Sequence, residues 1–319
     1  MSPDAAEIAR AVEILRAGRL VAFPTETVYG LGADAANPDA VRRIFAAKGR
    51  PSDHPVIVHL ASADSIGEWA REMPPAARML AQAFWPGPLT MILPRTARVD
   101  DVVTGGQDSV GIRVPSHPVA RALLRAFGGG VVAPSANRFG RISPTTAEHV
   151  RTELGDQVDL VLDGGASDVG IESAIVDLSG AQPTLLRPGM IGAARIEAVL
   201  GRRLGRSGAT SPRASGTLDA HYAPVTPMAL LASDALDHAA LAAPTTAVLA
   251  RRPAPADARV AIWSIAATDP VRYAHDLYAS LRSLDAGRFA RILVEQPPDE
   301  PEWAAVHDRL NRAAHGAGK

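Results

Sequence analysis

The stretch from Val21 to Gly32 constrains the fold more than any other part of this chain. An apolar run from Leu20 ends at Pro24, and proline cannot donate to a sheet ladder, so we expect a strand to stop there. The residues that follow, Thr-Glu-Thr-Val-Tyr-Gly-Leu-Gly, predict a tight polar turn, which is a usual place for a ligand site in an α/β protein. From these residues alone, an ordinary surface turn remains the alternative.

Helical and strand patterns alternate along the rest of the first two thirds of the chain, which predicts an α/β fold. Residues 95–108 are predicted to form a polar loop. The predicted helices are 4–17, 38–47, 74–84, 118–127, 146–154 and 192–200, and the predicted strands are 19–23, 56–60, 89–93, 109–115, 131–137, 159–162, 173–178 and 184–187.

A length of 319 residues allows two domains, each large enough to bury a core. Residues 201–220 are rich in Gly, Arg, Ser, Pro and Thr and lack apolar periodicity, so they are predicted to be a linker. Beyond it we expect a small α/β domain without a recognisable polar site. Its predicted strands are 245–250, 258–265 and 290–295, and its predicted helices are 234–242, 270–285 and 301–314.

Composition excludes several classes of function. The chain has no cysteine, which rules out disulfides, thiolate catalysis and cysteine-ligated zinc. A formal net charge of −1 gives no indication of nonspecific nucleic-acid binding. There is no apolar run of the length a membrane span needs, and the N-terminus lacks the pattern of a signal peptide. We therefore expect a cytoplasmic protein with no membrane partner.

Lysine usage points to one residue. Among 33 cationic residues, lysine occurs only at Lys48 and at the C-terminal Lys319. A lysine is ordinarily a solvated surface charge, but here arginine is the default cation. Because a compact ammonium does not replace a planar guanidinium, this usage favours a specific role for Lys48.

Hydroxyl and cationic residues recur at or near the ends of predicted strands. Around glycine turns they suit phosphate binding by charge and backbone amides rather than covalent catalysis. Ser143–Thr145 is predicted to be a helix N-terminus, which can bind an anion, although plain N-capping explains it equally. Likewise, Arg113 could be a paired charge at a sheet end, and His59 a hydrogen-bonded core residue. The recurring groups are Thr25–Thr27, Lys48–His54, His59, Arg113, Ser135–Asn137, Ser143, Ser173 and Arg187.

Several segments resemble, in order and spacing, the motifs of the YrdC/Sua5 family. They are Pro24–Gly32, Lys48–Pro51, Trp85–Thr90, Arg113–Pro115, Ala133–Asn137 and Leu186–Gly189. The resemblance covers residues 5 to about 224. It implies an α/β fold in which a YrdC-like twisted, open, mixed sheet is flanked by helices.

The Sua5 form of the family adds a smaller Rossmann-like α/β domain after a linker that ends in a His-Tyr-Ala-Pro-like signature. His221–Pro224 matches that signature, whereas Ala214–Thr217 reads Ala-Ser-Gly-Thr where something like Ser-Pro-Gly-Met is expected. The resemblance implies a catalytic domain at 1–206, a linker over the active site at 207–224 and a C-terminal domain at 225–319.

Members of this family are L-threonylcarbamoyladenylate synthases, a type of nucleotidyltransferase. The implied reaction joins L-threonine, bicarbonate or CO₂, and ATP into threonylcarbamoyl-AMP and pyrophosphate for the t6A modification of tRNA. The t6A transferase machinery and tRNA are thereby indirect, downstream partners. Mg²⁺ is expected as a cofactor bound with ATP, and no carboxylate cage or other metal-ligating set is recognisable in the sequence.

The resemblance also implies roles for individual residues. Lys48 and Arg50 would be catalytic as well as nucleotide-binding. His54 stands where the family pattern has asparagine. L-Threonine would be bound by Thr27, His59, Arg113, the Ala133 backbone and Ser173, and ATP by Lys48, Arg50, His54, Ser109, Ser135, Asn137, Ser143, Arg187 and Tyr222.

Two other functions remain as alternatives at this stage. An RNA-binding YrdC-like protein would use a positively charged face, but the near-zero net charge and the low aromatic content of 4% argue against RNA as the main ligand. A carbamoyl-transfer module of hydrogenase maturation would belong to a much larger protein with zinc-finger cysteines, and this chain has none.

Overall fold

The structure is a computed structural model that describes residues 3–208 and 211–318. Lys319 lies outside the described residues. The chain forms two compact units: the first is built from residues 1–139 and 144–217, and the second from residues 140–143 and the chain from 218 onward. The domain boundaries drawn from the sequence stay a prediction.

The first unit alternates helices and strands, as expected, with most predicted elements present within a few residues of their predicted ends. In chain order its elements are α1 Ala5–Arg16, β1 Val21–Pro24, β2 Tyr29–Asp34, α2 Pro38–Lys48, β3 Ile57–His59, α3 Pro75–Phe84, β4 Leu89–Pro94, α4 Asp101–Thr104, β5 Ser109–Arg113, α5 Pro118–Phe127, β6 Val131–Val132, α6 Ala147–Leu154, β7 Leu160–Val161, β8 Ala174–Asp177, β9 Thr184–Arg187, α7 Ala193–Leu200 and β10 Gly205–Arg206.

Within the described residues, ten strands form one sheet in the order β10-β9-β8-β4-β5-β3-β6-β2-β1-β7. At its centre β3 runs parallel to β5 and antiparallel to β6. Next to them, β4 runs antiparallel to β5 and parallel to β8. The predicted mixed sheet with flanking helices is therefore confirmed.

The central strands divide their side chains between two faces. Because side chains alternate along a strand, every second residue points to the same side of the sheet. One side faces the main hydrophobic core, to which these strands contribute Val58, Leu89, Met91, Val110, Ile112, Ala174 and Val176. The other side, called here the polar face, carries His59, Thr90, Arg113 and Ser173 together with Ile57, Ile92 and Ile175, which pack against Ala214.

The predicted polar turn after Pro24 is partly wrong. β1 and β2 form an antiparallel hairpin in which Pro24 pairs with Tyr29, so the turn is confined to residues 25–28. Gly30 and Gly32 belong to β2 rather than to a turn. A Cβ at Gly32 would lie 2.8 Å from the Phe23 ring, so glycine is needed there for close packing of the strands.

Three other predictions need correction. Ser143–Thr145 is not the helix N-terminus, because α6 is capped by Thr146, whose hydroxyl accepts from the His149 amide. The loop 95–108 contains the short helix α4. The strand 131–137 ends at Val132. Strands β2 and β10 were not predicted as strands, since the first is glycine-rich and the second lies in a polar, arginine-rich segment.

The second unit contains β11 Met228–Leu231, α8 Ser233–Ala240, β12 Ala243–Ala250, β13 Val260–Ile265, α9 Pro270–Ala286, β14 Arg291–Glu295 and α10 Ala304–Gly316. Among the described residues, four strands form a sheet in the order β11-β14-β12-β13, and all pairs are parallel. This agrees with the predicted Rossmann-like α/β domain, although β11 was not predicted. No helix in the described part of the chain is long and apolar enough to cross a membrane.

Gly189 provides a test of the packing between β8 and the turn after β9. A Cβ added there would lie 2.3 Å from the backbone nitrogen of Ala174, whereas a Cβ at Gly180 would meet no atom within 4 Å. We expect Gly189→Ala to lower the free energy of unfolding by about 1–3 kcal/mol, because the backbone must shift. Gly180→Ala should change it by less than about 0.5 kcal/mol. Equal urea-unfolding midpoints, followed by circular dichroism, would contradict this account.

Candidate functional site

Arg113 ends β5 on the polar face and is held from three sides. Its Nη1 donates to the Thr27 hydroxyl at 2.9 Å, its Nη2 to Glu26 Oε1 at 2.6 Å, and its Nε to the Gly87 carbonyl at 3.3 Å. The Glu26 carboxylate also accepts from the Ser116 amide at 3.0 Å. Arg113 and Glu26 are both buried. The guanidinium is thus fixed in position, and each terminal nitrogen keeps one N–H for a ligand.

His59 lies beside Arg113, because β3 and β5 are parallel and pair these two residues. Its Nδ1 is 3.2 Å from the Ile57 carbonyl, and the ring has a second backbone hydrogen-bond partner in Val131. Burial, together with the positive charge of Arg113, lowers the pKa of the imidazole to about 3. His59 is therefore neutral at physiological pH, and it offers the site a polar ring without adding a charge.

Ser173 and Arg187 form a second polar group on neighbouring strands. The Ser173 hydroxyl lies 2.8 Å from the Thr90 hydroxyl. The Arg187 guanidinium donates to the Ser173 carbonyl from Nε at 3.1 Å and from Nη2 at 2.9 Å. Thr90 lies on β4, which is next to the strand of Arg113, whereas Ser173 precedes β8 and Arg187 ends β9, the next two strands of the sheet.

Lys48 ends α2, and its ammonium group is buried. Nζ donates to the Ser135 carbonyl at 2.6 Å and to the Asn137 carbonyl at 2.5 Å, so the segment after β6 wraps around it. Burial, and secondly the nearby Arg50, lower the pKa of Lys48 to about 7. The protein thus holds this cation where its charge is unfavourable, which an anionic ligand would offset.

Arg50 follows Gly49, which ends α2 with the left-handed φ of 61°. Its Nη2 donates to the Pro55 carbonyl at 2.9 Å and contacts the Ser215 hydroxyl at 3.5 Å. Arg187 Nη1 donates to the Ser215 carbonyl at 2.7 Å. Ser215, in the segment predicted to be a linker, therefore brings Arg50 and Arg187 together.

His54 lies close to the same arginine. Its ring packs edge-on against Phe139 at 5.6 Å between ring centroids, and Arg50 lies over the Phe139 ring at 5.9 Å from its centroid. Burial, followed by the charge of Arg50, lowers the pKa of His54. His54 therefore provides a neutral, aromatic side chain where the family pattern has asparagine.

Two further predicted residues lie on the same sheet. The Ala133 amide donates to the Ile57 carbonyl at 3.1 Å, which places Ala133 beside β3. Ser109 begins β5 and shares the polar face with Arg113, but it lies at the opposite end of that strand, about 13 Å away by strand rise. The structure therefore does not bring Ser109 to the cluster around Arg113.

Ser143 and Tyr222 belong to the second unit, where both are buried. The Ser143 carbonyl accepts from Arg282 Nε at 3.4 Å. Tyr222 has a φ of 62°, unusual for a residue with a side chain, and its ring stacks on Tyr278 at 5.7 Å between centroids. The Arg309 guanidinium lies 5.2 Å from the centre of the Tyr222 ring. Their predicted contact with the nucleotide stays a prediction.

Three residues of this cluster were assigned no role from the sequence: Glu26, Thr90 and Ser215. Glu26 and Thr90 lie within the matched motifs, so their position in those motifs could have marked them as candidate site residues. Ser215 lies in the linker stretch that departs from the family pattern, and its contact with both arginines depends on how that stretch folds back onto the sheet.

The arrangement suits anionic ligands. Lys48, Arg50, Arg113 and Arg187 are all buried in the first unit, where Glu26 pairs with Arg113 and the charges of Glu153 and Glu172 act on Lys48. Buried cations with fixed geometry bind carboxylates and phosphates strongly, because water does not screen them. Hydroxyl groups and backbone amides can orient such a ligand through hydrogen bonds. Such a site can position and neutralise an amino-acid carboxylate and a phosphate chain.

Comparison with known families agrees with the resemblance seen in the sequence. The model of the Sua5/YciO/YrdC family, described as "Telomere recombination", matches residues 13–189. The model described as "Threonylcarbamoyl-AMP synthase, C-terminal domain" matches residues 191–315. Together they span both units of the chain.

Curated relatives of this chain are named threonylcarbamoyl-AMP synthase, as is the second family model. The threonylcarbamoyl-AMP synthase of Bacillus subtilis (strain 168) is 38% identical over 339 residues, covering 99% of this chain and 95% of that protein. The threonylcarbamoyl-AMP synthase of Pyrococcus abyssi (strain GE5 / Orsay) is 46% identical over 220 residues, covering 67% of this chain and 64% of that protein.

Solved structures show the same fold. The crystal structure of P. abyssi Sua5 complexed with L-threonine matches with a TM-score of 0.89 and 35% identity, covering 99% of this chain and 97% of that one. Escherichia coli YciO matches with a TM-score of 0.52 and 27% identity, covering 59% of this chain and 91% of that one. The chain belongs to the Sua5/YrdC family of threonylcarbamoyl-AMP synthases, in the form that carries the additional C-terminal domain.

Proposed function

We propose that this chain is an L-threonylcarbamoyladenylate synthase that joins L-threonine, bicarbonate and ATP into threonylcarbamoyl-AMP, pyrophosphate and water. The observation that carries the proposal is the cluster of Arg113, His59 and Ser173 on the polar face, in one compact unit with Lys48 and Asn137. As a member of a family named for its product threonylcarbamoyl-AMP, the chain is an enzyme that forms an adenylate. Its class as a nucleotidyltransferase is part of the proposal.

The chemistry needs positioning and charge neutralisation more than a protein nucleophile. The threonine amine attacks the carbon of CO₂, supplied by bicarbonate, and gives up a proton to form a carbamate. A carbamate oxygen then attacks the α-phosphorus of ATP, and the bond to the β-phosphate oxygen breaks to release pyrophosphate. All reactants after the first step are anionic. Fixed cations and hydroxyl groups lower this barrier by holding the reactants in line.

Threonine would lie against the polar face. The two remaining N–H groups of Arg113 suit its carboxylate, and the hydroxyls of Thr27 and Ser173 suit its polar groups. His59, held neutral by burial, would not repel the amine. The Ala133 backbone completes the proposed threonine contacts. P. abyssi Sua5, a structural relative, has been solved with L-threonine, which supports this substrate.

ATP would be bound by the cations that surround the segment after β6. Lys48 and Arg50 would neutralise the phosphates during transfer, with Arg187 beside Arg50 at Ser215. These assignments are proposals, as are those of His54, Ser109, Ser135, Asn137, Ser143 and Tyr222. A linker that lies over the active site is likewise a proposal.

Mg²⁺ is proposed as part of the ATP complex. In the described part of the chain, no three His, Asp or Glu side chains are grouped so that they could hold a metal ion. Phosphate oxygens and water are therefore its natural ligands, and we assign it no residue. It would shield the charge of the phosphates.

The remaining expectations about cellular context stay predictions. They are the cytoplasmic location, the use of the product by a t6A transferase, and the indirect partnership with tRNA. An RNA-binding protein without this activity is not favoured, because the full-length relative is named a synthase.

We expect the purified chain to release pyrophosphate from ATP only when L-threonine, bicarbonate and Mg²⁺ are all present, because the carbamate is the attacking group. The measurement is a coupled pyrophosphate assay with each component left out in turn. L-Serine and L-valine serve as substrate controls, since each lacks one feature of threonine. Pyrophosphate release without threonine would reject the substrate assignment.

We expect Lys48→Ala and Arg50→Ala each to lower turnover by at least about a hundredfold, because each removes a fixed cation from the phosphate site. Arg42→Ala is the matched control on α2, since Arg42 is exposed and pairs only with Asp39 in the described structure. It should keep a nearly normal rate. Circular dichroism checks that each variant is folded. Near-normal rates in both site variants would remove the nucleotide-site assignment.

Glu26→Gln tests whether Glu26 positions Arg113. Loss of the carboxylate removes the 2.6 Å ion pair, so the guanidinium is no longer fixed, and we expect the KM for threonine to rise about tenfold or more. The KM for ATP should change much less. Glu148→Gln, an exposed glutamate on α6, is the control. Parallel rises in both KM values would indicate a general structural role instead.

A further inference from the structure

A cavity lies in the first unit, between the segment after β3, helix α3, the turn before β4 and helix α5. Its volume is about 370 Å³. It is lined by residues 61–63, Met73, Trp85, Pro86 and Val114, among others. Ligand pockets begin at about 300 Å³, so the cavity is large enough for a small organic molecule.

Two cations line this cavity, Arg78 of α3 and Arg121 of α5, and no carboxylate does. Neither arginine has an ion pair among the described residues. The Arg121 Nε is buried and has no hydrogen-bond partner in the described structure. A buried donor without a partner is unfavourable, so an acceptor at this place would be bound with a gain in free energy. Asp64, which is close in the chain to the lining residue Ser62, accepts from the Ser62 hydroxyl at 3.1 Å and does not line the cavity.

The remaining lining is largely apolar. The Trp85 indole is anchored by its N–H, which donates to the Leu89 carbonyl at 2.7 Å, so the ring is held as a fixed wall. Val114 and Ala81 reach into the main core, which makes the floor rigid. An apolar wall facing a pair of guanidinium groups suits a molecule with a hydrophobic body and one anionic group.

We propose that this cavity is a binding site for a small organic carboxylate with an apolar or aromatic body, held by Arg78 and Arg121. The site is separate from the polar face. Val114 and Arg113 are neighbours in the chain, but side chains alternate, and Val114 belongs to the core side while Arg113 belongs to the polar face. The proposal does not depend on the proposed function, because its ligand need not be a substrate.

The test uses 4-phenylbutyrate as the probe and isothermal titration calorimetry on the full chain. Saturating L-threonine is present throughout, so that the carboxylate of the probe does not enter a site at Arg113. The neutral analogue 4-phenylbutyramide should bind at least about tenfold more weakly, since charge-assisted hydrogen bonds to guanidinium are lost. Equal affinities of the acid and the amide would overturn the proposal.

Variants locate the binding. Arg121→Met and Arg78→Met should each weaken binding of 4-phenylbutyrate about tenfold or more. Arg125→Met is the matched control, because Arg125 is an exposed arginine on the same helix that does not line the cavity, and its affinity should stay within about twofold of the wild type. Arg78 is itself exposed, so its variant tests the site even if Arg121→Met fails to fold. Wild-type affinity in Arg78→Met, or no binding of the probe to the wild type, would refute the site.

Discussion

The alternation of side chains along the four central strands is the constraint on which the site depends. Val58, Met91, Ile112 and Val176 take the core side of β3, β4, β5 and β8. The residues between them must then take the opposite side, and in β3 and β5 these include His59 and Arg113, paired in register. Burial of the core-side residues therefore fixes the direction of the side chains on the polar face. These side chains are held in place because the sheet that carries them is rigid.

The polar face adds buried charged side chains to this sheet. A buried guanidinium is tolerated when its hydrogen bonds are satisfied, and Glu26, Thr27 and Gly87 do this for Arg113. The Lys48 ammonium donates to the carbonyl groups of Ser135 and Asn137, and burial lowers its pKa to about 7. On the threonine side of the proposed site, Arg113 is thus paired with a carboxylate, while on the nucleotide side Arg50 and Arg187 remain positively charged.

The segment 211–217 links the two halves of this cluster within the first unit. Ala214 packs on Ile57, Ile92 and Ile175, and this contact places the next residue, Ser215, between Arg50 and Arg187. Because the isoleucines lie on the same face as His59 and Arg113, the linker stretch is directed to the polar face by ordinary apolar burial.

The local sequence pattern was sufficient to predict most helices and strands, the polar residues at strand ends, and the family motifs. The glycines of β2 look like turn residues, but Gly32 is required by the packing of Phe23 across the hairpin, and Gly30 lies against Ala133. Tertiary structure alone decided the ion pair of Glu26 with Arg113, the meeting of Arg50 and Arg187 at Ser215, and the cavity between α3 and α5. Each joins residues distant in the chain, and such contacts follow from sheet order and helix packing, which the period of a single segment does not encode.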